Sequence, residues 1–138
     1  YRYVMKYYCS ILFVYILGSA YAQEPIVFEE PTNGPKIVFL EDKYEFGDII
    51  QGDVIEHVFE FKNSGSAPLI LQDVKTTCGC TVPEWPRAPL PPGATAELRV
   101  KFNSAGKVGI QNKVITVISN ATNQTSRVMI VTNVNPKF

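Results

Sequence analysis

The residues best suited to chemistry in this 138-residue chain lie in the segment Thr77-Cys78-Gly79-Cys80-Thr81. Cysteine sulfur forms disulfides, exchanges with other thiols and binds soft metals. Three roles are therefore open for Cys78 and Cys80: a structural pair, a redox-active pair and a metal site. The sequence does not choose among them.

A disulfide between Cys78 and Cys80 would close a very small ring. The loop-closure relation gives such a ring only about 1.6 kcal/mol of stabilisation before any strain is subtracted. In an extended strand, two residues this close in sequence sit near the upper limit of bridgeable Cα separation, although Gly79 allows the backbone to tighten. A bridge here is expected to be strained and easily reduced, which suits thiol–disulfide exchange.

The metal hypothesis depends on which further ligands the chain supplies. Two neighbouring thiolates suit Cu(I) better than zinc, because a structural zinc site needs about four protein ligands. His57 and Met129 are the additional soft or imidazole ligands in the region after residue 22. The candidate copper site is therefore Cys78, Cys80 and His57.

His57 and Trp85 also have two interpretations each. His57 shares its parity with Ile55, Phe59 and Phe61, which predicts a histidine at the edge of a core, with a ligand or general base as the alternative. Trp85 lies between prolines in a predicted loop. It is expected either to cap an open end of the fold or to bind a partner protein.

The N-terminal segment has the features of an export signal. Arg2 and Lys6 precede an apolar run over residues 7–17, and Ala20 and Ala22 supply a small-residue cleavage pattern. We therefore predict a signal peptide over residues 1–22, with Met5 as the expected natural start, and a periplasmic or secreted protein. No stable membrane span is expected after cleavage, and the cysteines would meet an oxidising compartment.

For the remaining chain we predict a proline-rich, flexible arm over residues 23–36 and one domain over residues 37–138. Its clearest pattern is two-residue alternation at 54–62 and again at 96–102. Further strand-like runs occur at 37–40, 44–49, 69–74, 113–119 and 128–134. Residues 82–93 hold too many prolines for a central strand, and Pro92-Gly93 fits a type II turn. About seven short strands predict an all-β, immunoglobulin-like antiparallel sandwich.

An ordered set of short segments carries a family resemblance. The segments are Phe46-Gly47-Asp48-Ile49, Gly52, His57-Val58-Phe59-Glu60-Phe61-Lys62-Asn63, Gly65, Pro68-Leu69-Ile70-Leu71, Thr77-Cys78-Gly79-Cys80-Thr81, Pro92-Gly93, Val100-Lys101-Phe102-Asn103-Ser104, Gly106-Lys107-Val108-Gly109 and Val117-Ile118-Ser119-Asn120. The chain resembles the bacterial domain-of-unknown-function family numbered 1573, common in exported proteins of the Bacteroidetes. That family is distantly similar to major-sperm-protein and ASH-type modules. The resemblance covers about residues 37–134 and implies an exported sandwich without an established reaction.

Composition and charge narrow the function classes. The formal net charge is zero, which gives no reason to expect a nucleic-acid partner. Residues 23–60 hold ten acidic and two basic residues, and residues 61–138 hold three acidic and nine basic ones. Either neighbouring strands complement each other, or copies associate head to tail. No segment matches a catalytic motif. We therefore expect a non-enzymatic module, without a required cofactor, that binds a protein or envelope component, with a thiol redox or copper protein as the alternative.

Overall fold

The computed structural model describes residues 33–138, which form eight strands and no helix. The predicted signal peptide and residues 23–32 of the predicted arm lie outside this range, so those assignments remain predictions. No helix in the described range is long and apolar enough to cross a membrane. The strands are β1 (Ile37–Phe39), β2 (Lys43–Ile50), β3 (Val54–Asn63), β4 (Leu71–Thr76), β5 (Thr81–Glu84), β6 (Thr95–Asn103), β7 (Gly109–Ser119) and β8 (Thr125–Asn135).

The eight strands form two sheets of four. Sheet A has the order β1-β3-β6-β5, and sheet B has the order β2-β8-β7-β4. This arrangement confirms the predicted immunoglobulin-like sandwich. The strand count is eight, and β2 runs parallel to β8 whereas every other named pair is antiparallel. The parallel pair arises because the chain leaves sheet A after β1 and enters sheet B at β2.

The core lies between the two sheets and follows the predicted alternation. Phe59 and Phe61 on β3 are fully buried, as are Leu98 and Val100 on β6, while the intervening charged residues are exposed. Burial of a large apolar side chain contributes roughly 1.5–3 kcal/mol, so these alternating positions are a major source of stability. Sheet B contributes the facing layer: Ile115, Val117, Val128, Ile130 and Val134.

The proline-rich stretch lies at an edge of sheet A, as predicted. β5 contains Pro83 and pairs with β6 on one side only. Pro92 and Gly93 then occupy the middle of a tight turn, in which the Ala94 N–H donates to the Pro91 carbonyl at 3.1 Å. Gly93 has φ = 80°, the value that a type II turn requires at this position. The predicted turn is confirmed.

The described end of the predicted arm is hydrogen-bonded to two loops. The Gly34 N–H donates to Ser66 Oγ at 3.0 Å, and the Ser66 N–H donates to the Gly34 carbonyl at 2.8 Å. The Thr122 N–H donates to the Pro35 carbonyl at 2.8 Å. These bonds fix the point at which the chain enters β1.

Candidate functional site

The Cys78–Cys80 segment forms the corner where the chain passes from β4 in sheet B to β5 in sheet A. The two cysteines are joined in a disulfide with a Cα–Cα separation of 5.3 Å. The Thr81 N–H donates to the Cys78 carbonyl at 3.2 Å, and Thr76 Oγ1 donates to the same carbonyl at 2.9 Å. The corner is therefore held by hydrogen bonds as well as by the disulfide.

The surroundings of the two sulfurs differ from those expected of a metal site. Cys80 packs against the core, and its carbonyl accepts from the Asn103 N–H at 2.9 Å. Cys78 Sγ lies 3.8 Å from Thr81 Oγ1. Within residues 33–138 there is no group of three or more histidine, cysteine, aspartate or glutamate residues that could hold a metal ion. With the sulfurs joined to each other, the pair offers no two-thiolate ligand set in this state.

The structure does not bring His57 to the cysteine pair. His57 lies on β3, whereas the pair adjoins the β5 edge, and β6 separates these two strands. Its ring stacks on Tyr44 with centroids 3.7 Å apart and an interplanar angle of 11°, and its Nε2 lies 2.5 Å from Glu41 Oε1. Met129 is on β8, opposite Lys43 of β2. The predicted ligands thus stand at three separate places, and His57 has the core-edge position that its parity predicted.

Trp85 directly follows β5 and packs against the core at the edge of the sandwich. Its Nε1 is buried and has no hydrogen-bond partner in the described part of the chain. The Arg87 guanidinium carbon lies 3.9 Å from the centroid of the Trp85 ring, which is within the range of a cation–π contact. Trp85 is therefore partly buried against the core, and its ring contacts the cation of Arg87.

A groove of about 640 Å³ lies beside Trp85 on the outer face of sheet A. Strands β3, β5 and β6 supply one glutamate each: Glu60, Glu84 and Glu97. Glu60 and Glu97 are directly paired across neighbouring strands, and Glu84 pairs with Arg99. Along its sheet side the groove thus has three carboxylates and one guanidinium, that of Arg99, and it is apolar where Trp85 closes it.

Arg99 and Lys101 on this face form their ion pairs outside the set of groove glutamates. Arg99 Nη1 lies 3.1 Å from Glu56 Oε1, and Lys101 Nζ lies 3.6 Å from Glu56 Oε2. Both basic side chains therefore pair with Glu56, although Arg99 itself lines the groove beside Glu84. Among the described residues, none of the three groove glutamates forms an ion pair.

The sequence predicts some of the groove residues but not that they lie together. Alternation predicts that Glu97 and Glu60 lie on the outer faces of their strands. The register that pairs these two residues cannot be predicted from either strand alone. The sequence indicates Trp85 as a candidate partner-binding residue because it is a lone aromatic residue between prolines. The three carboxylates meet because β5 folds back onto β6, which is a long-range event.

The two sheets define an immunoglobulin-like β-sandwich. The chain belongs to the family described as "Protein of unknown function (DUF1573)", whose model matches residues 37–134. No curated protein matches the chain.

Solved structures of similar fold come from bacteria and from human. A protein of unknown function from Porphyromonas gingivalis W83 is 18% identical with a TM-score of 0.64, over 75% of this chain and 48% of that one. The ASH/PapD-like domain 7 of human CEP192 is 11% identical with a TM-score of 0.62, over 76% and 89%. The secreted serine protease VesC from Vibrio cholerae is 13% identical with a TM-score of 0.55, over 72% and 23%. At these identities the likeness extends to the fold alone.

Proposed function

We propose that this protein is a non-enzymatic binding module that takes a basic segment of a partner protein in the acidic groove beside Trp85. The module works outside the cytoplasm, in the periplasm or beyond the cell. The export-like segment at residues 1–22 and the Cys78–Cys80 disulfide support this location, because disulfides persist in oxidising compartments.

The unneutralised glutamate pair is the observation that carries the proposal. Like charges placed directly opposite each other on a sheet are destabilising, by an amount within the roughly 0.2–1 kcal/mol range of cross-strand pairs. Glu60 and Glu97 are such a pair, although Arg99 and Lys101 stand on the same face and pair elsewhere. A lysine or arginine of a partner would relieve this repulsion on binding.

The glutamates require a positive charge on the ligand, and Trp85 adds a requirement for apolar contact. Arg87 already lies over the Trp85 ring, which shows that this ring accepts a cation beside the carboxylates. A partner's lysine or arginine, with an apolar stem and a cationic end, would share or replace that contact. Nucleic acid is a poor fit because its phosphates would be repelled by the three glutamates. A basic, extended protein segment satisfies the charge and the apolar contact together.

Trp85 makes the proposal directly measurable because it is the single tryptophan of the chain. We expect a synthetic hexapeptide of alternating lysine and leucine to change the emission of Trp85 on titration. The binding should weaken with added salt, since the groove carboxylates are exposed to solvent. Glu60→Gln combined with Glu97→Gln should weaken it by about 3- to 10-fold, because each exposed charge pair is worth roughly 0.2–1 kcal/mol.

Two controls separate the groove from general attraction. A glutamate–leucine hexapeptide has the same apolar content and should leave the emission unchanged. Glu45→Gln removes a carboxylate of sheet B, far from the groove, and should leave lysine–leucine binding intact. Equal binding of both peptides, or no response to the double glutamine variant, contradicts the proposal.

A further inference from the structure

The two outer faces of the sandwich differ in chemistry. On sheet A, the outward positions of β3 and β6 are mostly charged. On sheet B, the outward positions of the two central strands are mainly apolar or uncharged, and a solvated sheet face normally carries polar side chains. The apolar positions on β7 and β8 are Ile110, Val114, Ile118, Met129 and Val131. Ile110 is 72% exposed and the other four are partly exposed.

Charge is distributed along this face from one end to the other. Lys75 of β4 and Arg127 of β8 both pair with Thr116 of β7, which places two basic residues in one row. Farther along the strands, Glu45 pairs with Val131, and Asp48 pairs with Asn133. Asp73, in the row of Ile118, lies 4.0 Å from Lys75, so among the described residues Arg127 is the base without an ion pair at this end. Val114, Met129 and Val131 lie between the row of Arg127 and the row of Asp48.

The Asp48 end of this face contains a hollow of about 250 Å³. Gly47, whose φ is 75°, lies at the β-bulge of β2 and contributes no side chain, which leaves the space open. Ile110 and Val131 provide an apolar lining, and Glu45 and Asp48 provide carboxylates. Glu45 already pairs with Lys43, and Asp48 Oδ1 accepts from Asn133 Nδ2 at 2.7 Å.

Arg127 matches this hollow in chemistry. It is exposed and has no ion-pair partner among residues 33–138. Its aliphatic stem suits the apolar lining, and its guanidinium suits the two carboxylates. Arg127 does not reach Asp48 of its own chain, because Asp48 pairs with Asn133, six residues away along β8 and therefore roughly 20 Å distant.

We propose that sheet B packs face to face with sheet B of a second copy around a two-fold axis through the apolar centre. An axis that lies in the interface and is perpendicular to the strands reverses the strand direction, so the Arg127 end of one copy covers the Asp48 end of the other. Arg127 of each copy then enters the hollow of the other copy. Val114, Met129 and Val131 of the two copies meet in the middle, away from water. This surface lies on the opposite side of the sandwich from the Trp85 groove and is independent of the proposed peptide binding.

The size of the face sets the expected strength of the dimer. Four strands spaced by about 4.8 Å, with six rows of outward residues, give a patch of roughly 17 by 34 Å. Two copies would bury roughly 1,200 Å² in total, which is at the lower limit for a specific interface. We therefore expect a monomer–dimer equilibrium that depends on protein concentration in the micromolar range.

Sedimentation velocity on the protein purified from cells that express the complete chain tests the proposal. The wild type should shift from monomer to dimer as the concentration rises from about 1 μM to about 500 μM, a range chosen around the affinity expected for a small interface. Arg127→Glu places a carboxylate opposite Asp48 twice in the dimer and should weaken association at least 10-fold. Asp48→Arg alone should weaken it similarly. Arg127→Glu combined with Asp48→Arg restores opposite charges and should recover the dimer.

The matched control is Lys62→Glu, a charge reversal at an exposed position on the outer face of sheet A. It should dimerise like the wild type, and thermal unfolding should show that every variant is folded. A wild type that stays monomeric at about 500 μM overturns the proposal, since an interface of this size should form there. So does a dimer that Arg127→Glu leaves unchanged, or a double variant that stays as weak as the two single variants. The test uses no peptide, so its failure leaves the groove proposal untouched.

Discussion

Glu60 of β3 faces Glu97 of β6 directly across the outer surface of sheet A. Both residues lie on the central strands of the sheet. Opposite charge would stabilise the sheet at this position, and two like charges do the reverse. The chain therefore retains an arrangement that costs stability, which is expected where a surface serves binding.

Glu97→Lys should make the protein more stable and impair binding of the basic peptide. The new lysine would face Glu60 and replace repulsion with attraction, which is worth about 0.5–1 kcal/mol for a cross-strand pair. For a domain of this size we expect the melting temperature to rise by roughly 2–6 °C, measured by calorimetry. The lysine–leucine hexapeptide should bind more weakly in the Trp85 emission assay.

Glu97→Gln is the control for this substitution, because it removes the repulsion without adding an attractive charge. Its melting temperature should lie between those of the wild type and Glu97→Lys. A Glu97→Lys variant that is less stable than the wild type would show that the two carboxylates do not repel each other appreciably.

The sequence predicts which residues of β3 and β6 face the core, because this depends only on the local alternation of apolar and polar residues. The inward positions of β3 and β6 follow from the pattern of Phe59, Phe61, Leu98 and Phe102, all of which are buried. The parallel pairing of β2 with β8 could not be predicted from the sequence, since it depends on where the chain changes sheets after β1. The neighbours of His57 were missed for the same reason, because Tyr44 reaches it from the other sheet.

Gly65→Ala should destabilise the fold because Gly65 lies against the backbone of the segment that enters β1. A Cβ at Gly65 would come within 2.1 Å of the Gly34 carbonyl oxygen and 2.5 Å of the Lys36 nitrogen. Backbone cannot move aside as a flexible side chain can, so we expect a loss of about 1–3 kcal/mol in the free energy of unfolding. Urea denaturation followed by Trp85 emission measures this loss.

Gly79→Ala is the matched control for the packing argument. A Cβ at Gly79 has no atom within 4 Å, and Gly79 does not have a positive φ. Its substitution should change the free energy of unfolding by no more than about 0.5 kcal/mol. Equal losses in the two variants would mean that the close contact at Gly65 is not what limits the stability.

Lys113→Met should stabilise the protein near neutral pH. Burial lowers the pKa of Lys113 from its usual value of 10.5, and the positive charge of Lys107 lowers this pKa further. Folding therefore disfavours the charged lysine, and this cost is present at every pH below the lowered pKa. The cost diminishes as the pH rises through that lowered pKa toward the unfolded value.

The stability gained by Lys113→Met should accordingly be largest at pH 7 and shrink in the alkaline range, as measured by urea denaturation at several pH values. The gain should be modest, about 0.5 kcal/mol, because the position is partly exposed. Lys62→Met is the control, because it makes the same substitution at a solvent-exposed position. A less stable Lys113→Met at pH 7 would show that the contact of the ammonium with the Phe102 ring, 5.5 Å from its centroid, outweighs the cost of burial.

Cys78→Ser combined with Cys80→Ser separates a structural disulfide from a redox or copper-binding pair. The small ring contributes only about 1.6 kcal/mol by loop closure, so the double variant should remain folded and lose about 1–2 kcal/mol of stability. Thr76 and Thr81 still hold the corner through their hydrogen bonds to the Cys78 carbonyl, which is a backbone group and survives the substitution. Binding of the lysine–leucine peptide should be unchanged, since the groove residues lie elsewhere.

Native intact-mass measurement on the wild type completes this test. For a chain processed before Gln23, we expect a mass two hydrogens below that of the free thiols, and alkylation of Cys78 and Cys80 only after reduction. Added Cu(I) should leave no bound-metal mass on the oxidised protein, because the two sulfurs are joined and His57 stands on another strand. Two free thiols that bind copper in the native protein, or rapid opening of the bridge by a dithiol at concentrations that leave structural disulfides intact, would instead assign the pair to metal or redox chemistry.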